Sequence, residues 1–241
     1  MDFTRYYYLL EAKEQQALEQ MISHLNKKEK IVLLTTSNRW EGSDDVPKST
    51  LVAQYIQQKV AGKCVLIDAS KLHIYDCEGN VSDHTNGYHC GTKESKLKDD
   101  TKNPSGCHRC WASINHKDDE LWKVSKPLLE SDCVVFFGSV RWGQANAVYS
   151  RLLERLTWLE SRHATLGESN IIKNVEAGVV FVGQNWNGQQ VLETQKQVLK
   201  FFGFKVPNVL SWSWQFTKDS KDESKESYKK AWPSFKKQVL S

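Results

Sequence analysis

The chain alternates between short apolar runs and longer amphipathic stretches. Residues 8–26 are rich in Ala, Glu, Gln and Leu and predict a leading amphipathic helix, with Leu9, Leu10, Leu18, Met21, Ile22 and Leu25 along one side. Lys27, Lys28 and Lys30 follow it and suit a helix C-terminus. Ile31-Val32-Leu33-Leu34-Thr35-Thr36 then runs apolar without helical period, as a strand buried on both faces does. A polar loop, 37–48, leads into a helix over 49–60, and Cys64-Val65-Leu66-Ile67 reads as a second buried strand. Cys133-Val134-Val135-Phe136-Phe137 is the third strand, 177–182 the fourth and 206–210 the fifth. Helices are expected over 118–131, 147–160 and 189–202, with Pro127 inside the first of these.

Strand–helix alternation of this kind predicts an α/β domain, an open doubly wound parallel sheet with helices on both faces. Its rhythm breaks over residues 70–116, where Gly, Asn, Asp, His, Lys and Cys dominate. That length exceeds an ordinary loop, so it reads as an insertion after the second strand. The division expected is a helix over 1–30, the domain over 31–216 carrying the insertion, and a charged segment over 217–241 ending in a helix. Trp212, Trp214 and Phe216 alternate and suggest packing at a strand end or a subunit contact.

Composition narrows the function. The 241 residues carry a net charge of +4 with the charges interspersed, which does not supply the concentrated basic stripe of a nucleic-acid binder. No apolar run approaches the roughly 20 residues that span a bilayer, and residues 1–30 lack a signal-peptide plan. A cytoplasmic protein with reduced thiols is therefore expected, whose six cysteines are packing, metal or redox residues before they are disulfides.

On an open α/β sheet, ligands bind outside the carboxyl ends of the strands. Three loops leave such ends. The first, Thr35-Thr36-Ser37-Asn38-Arg39 through Asp44 and Asp45 to Lys48-Ser49-Thr50, gathers hydroxyls and an arginine before a helix N-terminus, a setting that holds a phosphate monoester or is simply N-capped by Ser49 or Thr50. It is neither a P-loop nor a dinucleotide fingerprint. The second, Gly138-Ser139-Val140-Arg141-Trp142-Gly143, sets an aromatic between two glycines, where a flat ring could stack, or where Trp142 packs in the core. The third is Gly183-Gln184-Asn185-Trp186-Asn187-Gly188, which taken alone is only a turn.

The three loops in this order resemble those of the flavodoxin-like NAD(P)H-dependent FMN reductases and multimeric flavodoxins. The resemblance covers residues 30–210 and rests on Thr36-Ser37-Asn38-Arg39 with Lys48-Ser49-Thr50, on Trp142-Gly143 with Glu154-Arg155 in the following helix, and on Lys117-Asp118-Asp119. It implies a five-stranded flavodoxin-like sheet and FMN as cofactor. The phosphate would lie on Ser37, Arg39, Ser49 and Thr50. The isoalloxazine would lie against Ser139, Val140, Arg141, Trp142 and Gly143, with Gln184, Asn185, Trp186, Asn187 and Gly188 closing the far side. Arg141 stands where the family carries an aromatic. It also implies NAD(P)H as electron donor, a quinone, flavin or similar small-molecule acceptor, and a homodimer or tetramer. No protein acid or base is required, so no catalytic residue is assigned. A flavodoxin-type electron carrier is the alternative; such carriers are generally acidic, and this chain is slightly basic.

Cys77, Cys90, Cys107 and Cys110 share the insertion with His73, His84, His89, His108 and His116. Four thiols with one C-x2-C pair can build a tetrahedral zinc site or hold an iron-sulfur cluster, as some members of the family do, but packing is the favoured reading. Cys64 and Cys133 are core residues. The insertion is expected to cover the mouth of the flavin site, anchored by Tyr75, Tyr88, Trp111 and Trp122.

Overall fold

The computed structural model describes residues 3, 7, 10–39, 43, 45–82, 87–183 and 187–215. The elements are α1 (Ala12–Leu25), β1 (Lys30–Thr35), α2 (Lys48–Lys59), β2 (Lys63–Asp68), α3 (Trp111–Asn115), α4 (Trp122–Leu129), β3 (Cys133–Arg141), β4 (Gln144–Ala145), α5 (Ala147–Ala164), β5 (Glu176–Gly183), α6 (Gly188–Phe201) and β6 (Trp212–Gln215). The strand order is β2-β1-β3-β5-β6, all parallel, with the short β4 antiparallel to β3. Parallel order with the second strand outside the first is the flavodoxin-like arrangement, and its switch point lies between β1 and β3.

Alternating strand residues feed two cores. Val32, Leu34, Val134, Phe136, Val179 and Phe181 pack toward α4, α5 and α6. Ile31, Leu33, Val135, Phe137, Val180 and Val182 pack toward α1 and α2. Continuous apolar strands are what burial on both faces requires. The leading helix α1 is a layer of the domain and not an appendage: Leu18, Met21 and Leu25 are fully buried beside Trp212 and Trp214. At its end Lys28 Nζ and His24 Nε2 each lie 2.7 Å from the Glu176 carboxylate at the start of β5.

Three elements depart from the expected pattern. The fifth parallel strand is 212–215 and not 206–210. Residues 208–210 form a single 3-10 turn, and the Leu210 backbone lies where a side chain on Gly178 of β5 would sit. A strand cannot continue through such an approach, so pairing resumes at Trp212, opposite Val180. The third strand extends four residues beyond Phe137. Gly138, Ser139 and Val140 pair with Phe181, Val182 and Gly183, and the chain then turns back into β4 through Trp142-Gly143. Finally, Asp118, Asp119 and Glu120 precede α4 instead of lining its first turn.

Asp119 is fully buried against Arg155 of α5, and this pair staples the insertion. Arg155 Nη1 donates to Asp119 Oδ1 (2.8 Å) and to Tyr75 O (2.7 Å). Its Nη2 donates to Asp119 Oδ2 (3.0 Å) and to Ser113 Oγ (2.9 Å). Ser113 donates its single proton to Asp119 Oδ2 (2.7 Å), so it accepts from His108 Nε2 at 2.9 Å, and His108 Nδ1 accepts from Ser125 Oγ at 2.6 Å. Arg151 and Arg162 of α5 donate to Ile74 O and Cys107 O. The described insertion is therefore drawn along the flank of α5 by three arginines.

Candidate functional site

The carboxyl ends of β1 and β3 meet at Asn146, the residue before α5. Asn146 is 4% exposed. Its Nδ2 donates to Thr36 O (2.8 Å), and its Oδ1 accepts from Ser139 N (2.9 Å) and lies 3.3 Å from Thr36 Oγ1. The Thr36 hydroxyl also lies 3.0 Å from Phe137 O, so its one proton serves either oxygen. Gly138 makes room for this clamp: a Cβ there would meet the Phe181 ring at 2.6 Å and Asn146 Oδ1 at 3.1 Å. Asn146 was not among the residues expected at the site. Its position directly before a helix reads as an N-cap, but its side chain caps nothing and spans two strand ends instead.

Beyond Thr36, the β1 loop brings its hydroxyls together at the start of α2. Ser49 Oγ donates to Ser37 Oγ (2.7 Å), both groups being buried. Thr50, 7% exposed, has a buried hydroxyl with no hydrogen-bond partner. Ser49 and Thr50 are not N-caps: the N-cap position is Pro47, no side chain caps the helix, and backbone donation into it begins with Leu51 N to Pro47 O. The α2 N-terminus thus offers backbone donors and a positive dipole end beside three hydroxyls. Arg39 is held outside this cluster by an ion pair with Asp45 (2.9 Å); Asp44 lies outside the described residues.

The second loop is a β-hairpin. Trp142 (φ 50) and Gly143 (φ 71) form its two-residue turn, the pair of positive φ values that matches the twist of the flanking strands. Trp142 is 87% exposed at the tip and Arg141 beside it is exposed, which overturns core packing as the reading for Trp142. Val140 is half-buried and touches the place of a side chain on Gly183. Ser139 Oγ, like Thr50 Oγ1, is buried without a partner.

Only the end of the third loop is described. Asn187, with φ 64, precedes α6, and its Nδ2 donates to Gly143 O (2.7 Å), tying the α6 N-terminus to the hairpin. Gly188 opens α6. Gln184, Asn185 and Trp186 lie outside the described residues.

The insertion cysteines do not assemble as a four-thiol site. Cys90 and Cys110 are buried and Cys77 half-buried. Burial pushes the Cys90 and Cys77 thiols up, and the thiol of Cys110 adds to both shifts. Cys107 Sγ instead lies 3.6 Å from Ser105 O. Among the described residues, no group of three or more His, Cys, Asp or Glu is placed to hold a metal ion; His84 lies outside them. None of the described helices is long and apolar enough to cross a membrane.

No family model and no curated protein matches this sequence. Among solved structures the chain is similar to RosB with the bound intermediate OHC-RP (8-demethyl-8-formylriboflavin-5'-phosphate), at 15% identity and a TM-score of 0.50, over 79% of this chain and 66% of RosB. It is also similar to a putative quinone reductase from Klebsiella pneumoniae (15%, TM-score 0.49, 88% of this chain and 85% of that one) and to an azoreductase from Bacillus anthracis str. Sterne (13%, TM-score 0.46, 88% and 93%). The chain spans about two thirds of the length of RosB. At this identity the likeness to RosB establishes the flavodoxin-like α/β fold, in agreement with the strand order.

Proposed function

We propose that this chain binds FMN at the β1/β3 switch point and serves as a flavin-dependent oxidoreductase. The observation that carries the reading is the pair of buried, partnerless hydroxyls, Thr50 Oγ1 and Ser139 Oγ. Buried polar atoms are ordinarily satisfied, so orphans in the first turn of α2 and near the carboxyl end of β3 suit a ligand that accepts hydrogen bonds. The donor set fits FMN: hydroxyls and an uncapped helix N-terminus for a dianionic phosphate, and a glycine-containing hairpin for a flat polar ring. RosB, on the same fold, was solved with a riboflavin-5'-phosphate derivative bound.

In this reading Ser37, Ser49 and Thr50 hold the phosphate together with the α2 N–H groups. Arg39, engaged by Asp45, sets the charge at the loop's outer edge. Ser139, Val140 and Gly143 line the ring, and Trp142 offers an exposed aromatic face beside Arg141. Asn187 and Gly188 fix the far side, where Gln184, Asn185 and Trp186 complete the loop. Asn146 is a positioning residue that keeps the two strand ends in register. When bound, FMN supplies two-electron chemistry between a nicotinamide nucleotide and a small acceptor such as a quinone or a free flavin. The protein's part is to bind, orient and screen, and no side chain needs to move a proton. NAD(P)H as donor, a homodimer or tetramer as assembly and the cytoplasm as location belong to the same proposal.

The test is reconstitution. The purified full chain, stripped of any bound chromophore, is titrated with FMN and with riboflavin while flavin fluorescence is followed. Saturable FMN binding at least roughly tenfold tighter than riboflavin binding is expected, since the phosphate is the anchored group. Equal affinity for the two, or binding of neither, overturns the reading.

A further inference from the structure

A cavity of about 560 Å³ opens within the insertion, between the arm 94–102 and the segment 113–119. None of its lining residues comes from the β1, β3 or β5 loops, so it is separate from the flavin site proposed above. Its volume falls in the range of small-molecule sites, roughly 300–1,000 Å³.

Both walls are held rigidly. The arm is closed by a bridge between Lys96 and Arg109 and by Leu97 N donating to His108 O (3.1 Å). Asn103, 3% exposed, fastens it from inside: its Nδ2 donates to Leu97 O (2.8 Å) and its Oδ1 accepts from His108 N (2.9 Å). The opposite wall carries Ser113 and Asp119, both locked to Arg155. The backbone of both walls is thus fixed before a ligand arrives, which limits the loss to ordering on binding.

Its charges do not cancel. Asp119 is neutralised by Arg155, and Asp99 faces Lys102 at 3.8 Å. Lys96, Lys98 and Lys117 take part in none of the ion pairs among the described residues, and one remaining acid, Glu94, lines the cavity. The Lys96 ammonium lies against Gly106, outside the lining, so the unpaired positive charge along the cavity comes from Lys98 and Lys117; it calls for a compact anion, which a lysine binds as a point charge. Leu97 and Ile114 add an apolar surface for a ring or chain.

We propose that this cavity binds a phosphorylated ligand of nucleotide size, with its phosphates against Lys98 and Lys117. The inference does not rest on flavin binding. Calorimetric titration of the full chain with ADP, inorganic pyrophosphate and adenosine tests it. ADP is expected to bind saturably, pyrophosphate more weakly, and adenosine not at all. The double variant Lys98→Gln/Lys117→Gln should bind ADP roughly tenfold more weakly or worse. Lys98→Gln, a single exposed change, gives a second reading in the same direction. FMN titration of the same preparations should be unchanged, so failure of one site is distinguishable from failure of the other. Absence of saturable ADP binding, adenosine binding as tight as ADP, or undiminished ADP affinity in both variants would each overturn the proposal.

Discussion

The amide of Asn146 grips Thr36 across two strands: its Nδ2 donates to Thr36 O at 2.8 Å while its Oδ1 lies 3.3 Å from Thr36 Oγ1. Both residues are buried, and Ser139 N shares the same Oδ1. Asn146→Ala strands the Thr36 carbonyl and the Ser139 N–H in a dry environment. A loss of about 2–4 kcal/mol is expected from two such orphaned groups. Asn146→Asp should not rescue it, because a second acceptor would then face the Thr36 carbonyl. Urea unfolding of the two variants checks this; an Ala variant as stable as the parent would show that the clamp is incidental.

Thr50 gives the sharpest separation between structural and ligand-binding roles. Its hydroxyl has no partner among the described residues, so Thr50→Val removes a buried orphan while keeping the shape. The apoprotein should be as stable as the parent or slightly more so. If the hydroxyl serves the FMN phosphate, affinity should fall by roughly tenfold for one lost charge-assisted bond. Unfolding curves without ligand and FMN titration of the same variant give the two numbers. Weakened stability with unaltered FMN affinity would assign Thr50 to packing.

The parts of this fold that depend on one-dimensional pattern were readable. β1, the first half of β3, and β5 are apolar runs because both faces are buried; β2 is a strand where expected but lies at the sheet edge, with Val65 exposed instead of buried on both faces. α2 and α6 lie within a residue of their expected positions. What was not readable depends on contact between distant residues. The strand at Trp212 is placed by the Leu210 backbone lying over Gly178. The hairpin at Trp142-Gly143 carries none of the usual Asn-Gly or Asp-Gly signal, and its strand contains Gly138 and Arg141, which interrupt the apolar run. Asp119 looked like a helix-terminal acid because its partner, Arg155, is 36 positions away. Asn146 had only the appearance of an N-cap. In the candidate site the hydroxyl cluster was visible as composition; that Arg39 is taken up by Asp45 and that Trp142 stands exposed were not.

The proposed direction of electron flow has its own test. Anaerobic mixing of the FMN-loaded chain with NADH or NADPH should bleach the oxidised flavin band near about 450 nm, a property of the cofactor. Bleaching by dithionite but by neither nucleotide would favour a carrier reduced by a partner protein. The net charge of +4 would then steer it toward an acidic partner.

The insertion staple predicts a pH dependence. Burial drives the His108 pKa down to about 4; Asp119 opposes that shift and Arg155 adds to it. The ring is stacked on Trp158 at 5.2 Å, and Ser113 and Ser125 hold both nitrogens in the neutral Nε2–H form. In the unfolded chain His108 takes up a proton near its ordinary value of 6.5, while the folded chain refuses it until about 4. A depressed folded pKa means that the stabilisation is complete above 6.5 and is lost as the pH falls toward 4. The full shift corresponds to about 3 kcal/mol, of which about 2 kcal/mol should be lost between about pH 7 and pH 5. Asp119 does not blur this window, since its own pKa is held below the ordinary carboxylate value: burial pushes it up, but the hydrogen bond and charge of Arg155 outweigh burial. His108→Gln removes the titrating group, so its urea-measured stability should fall less over the same interval, by about 2 kcal/mol. A variant that keeps the parent's slope would place the acid sensitivity elsewhere, at one of the carboxylates.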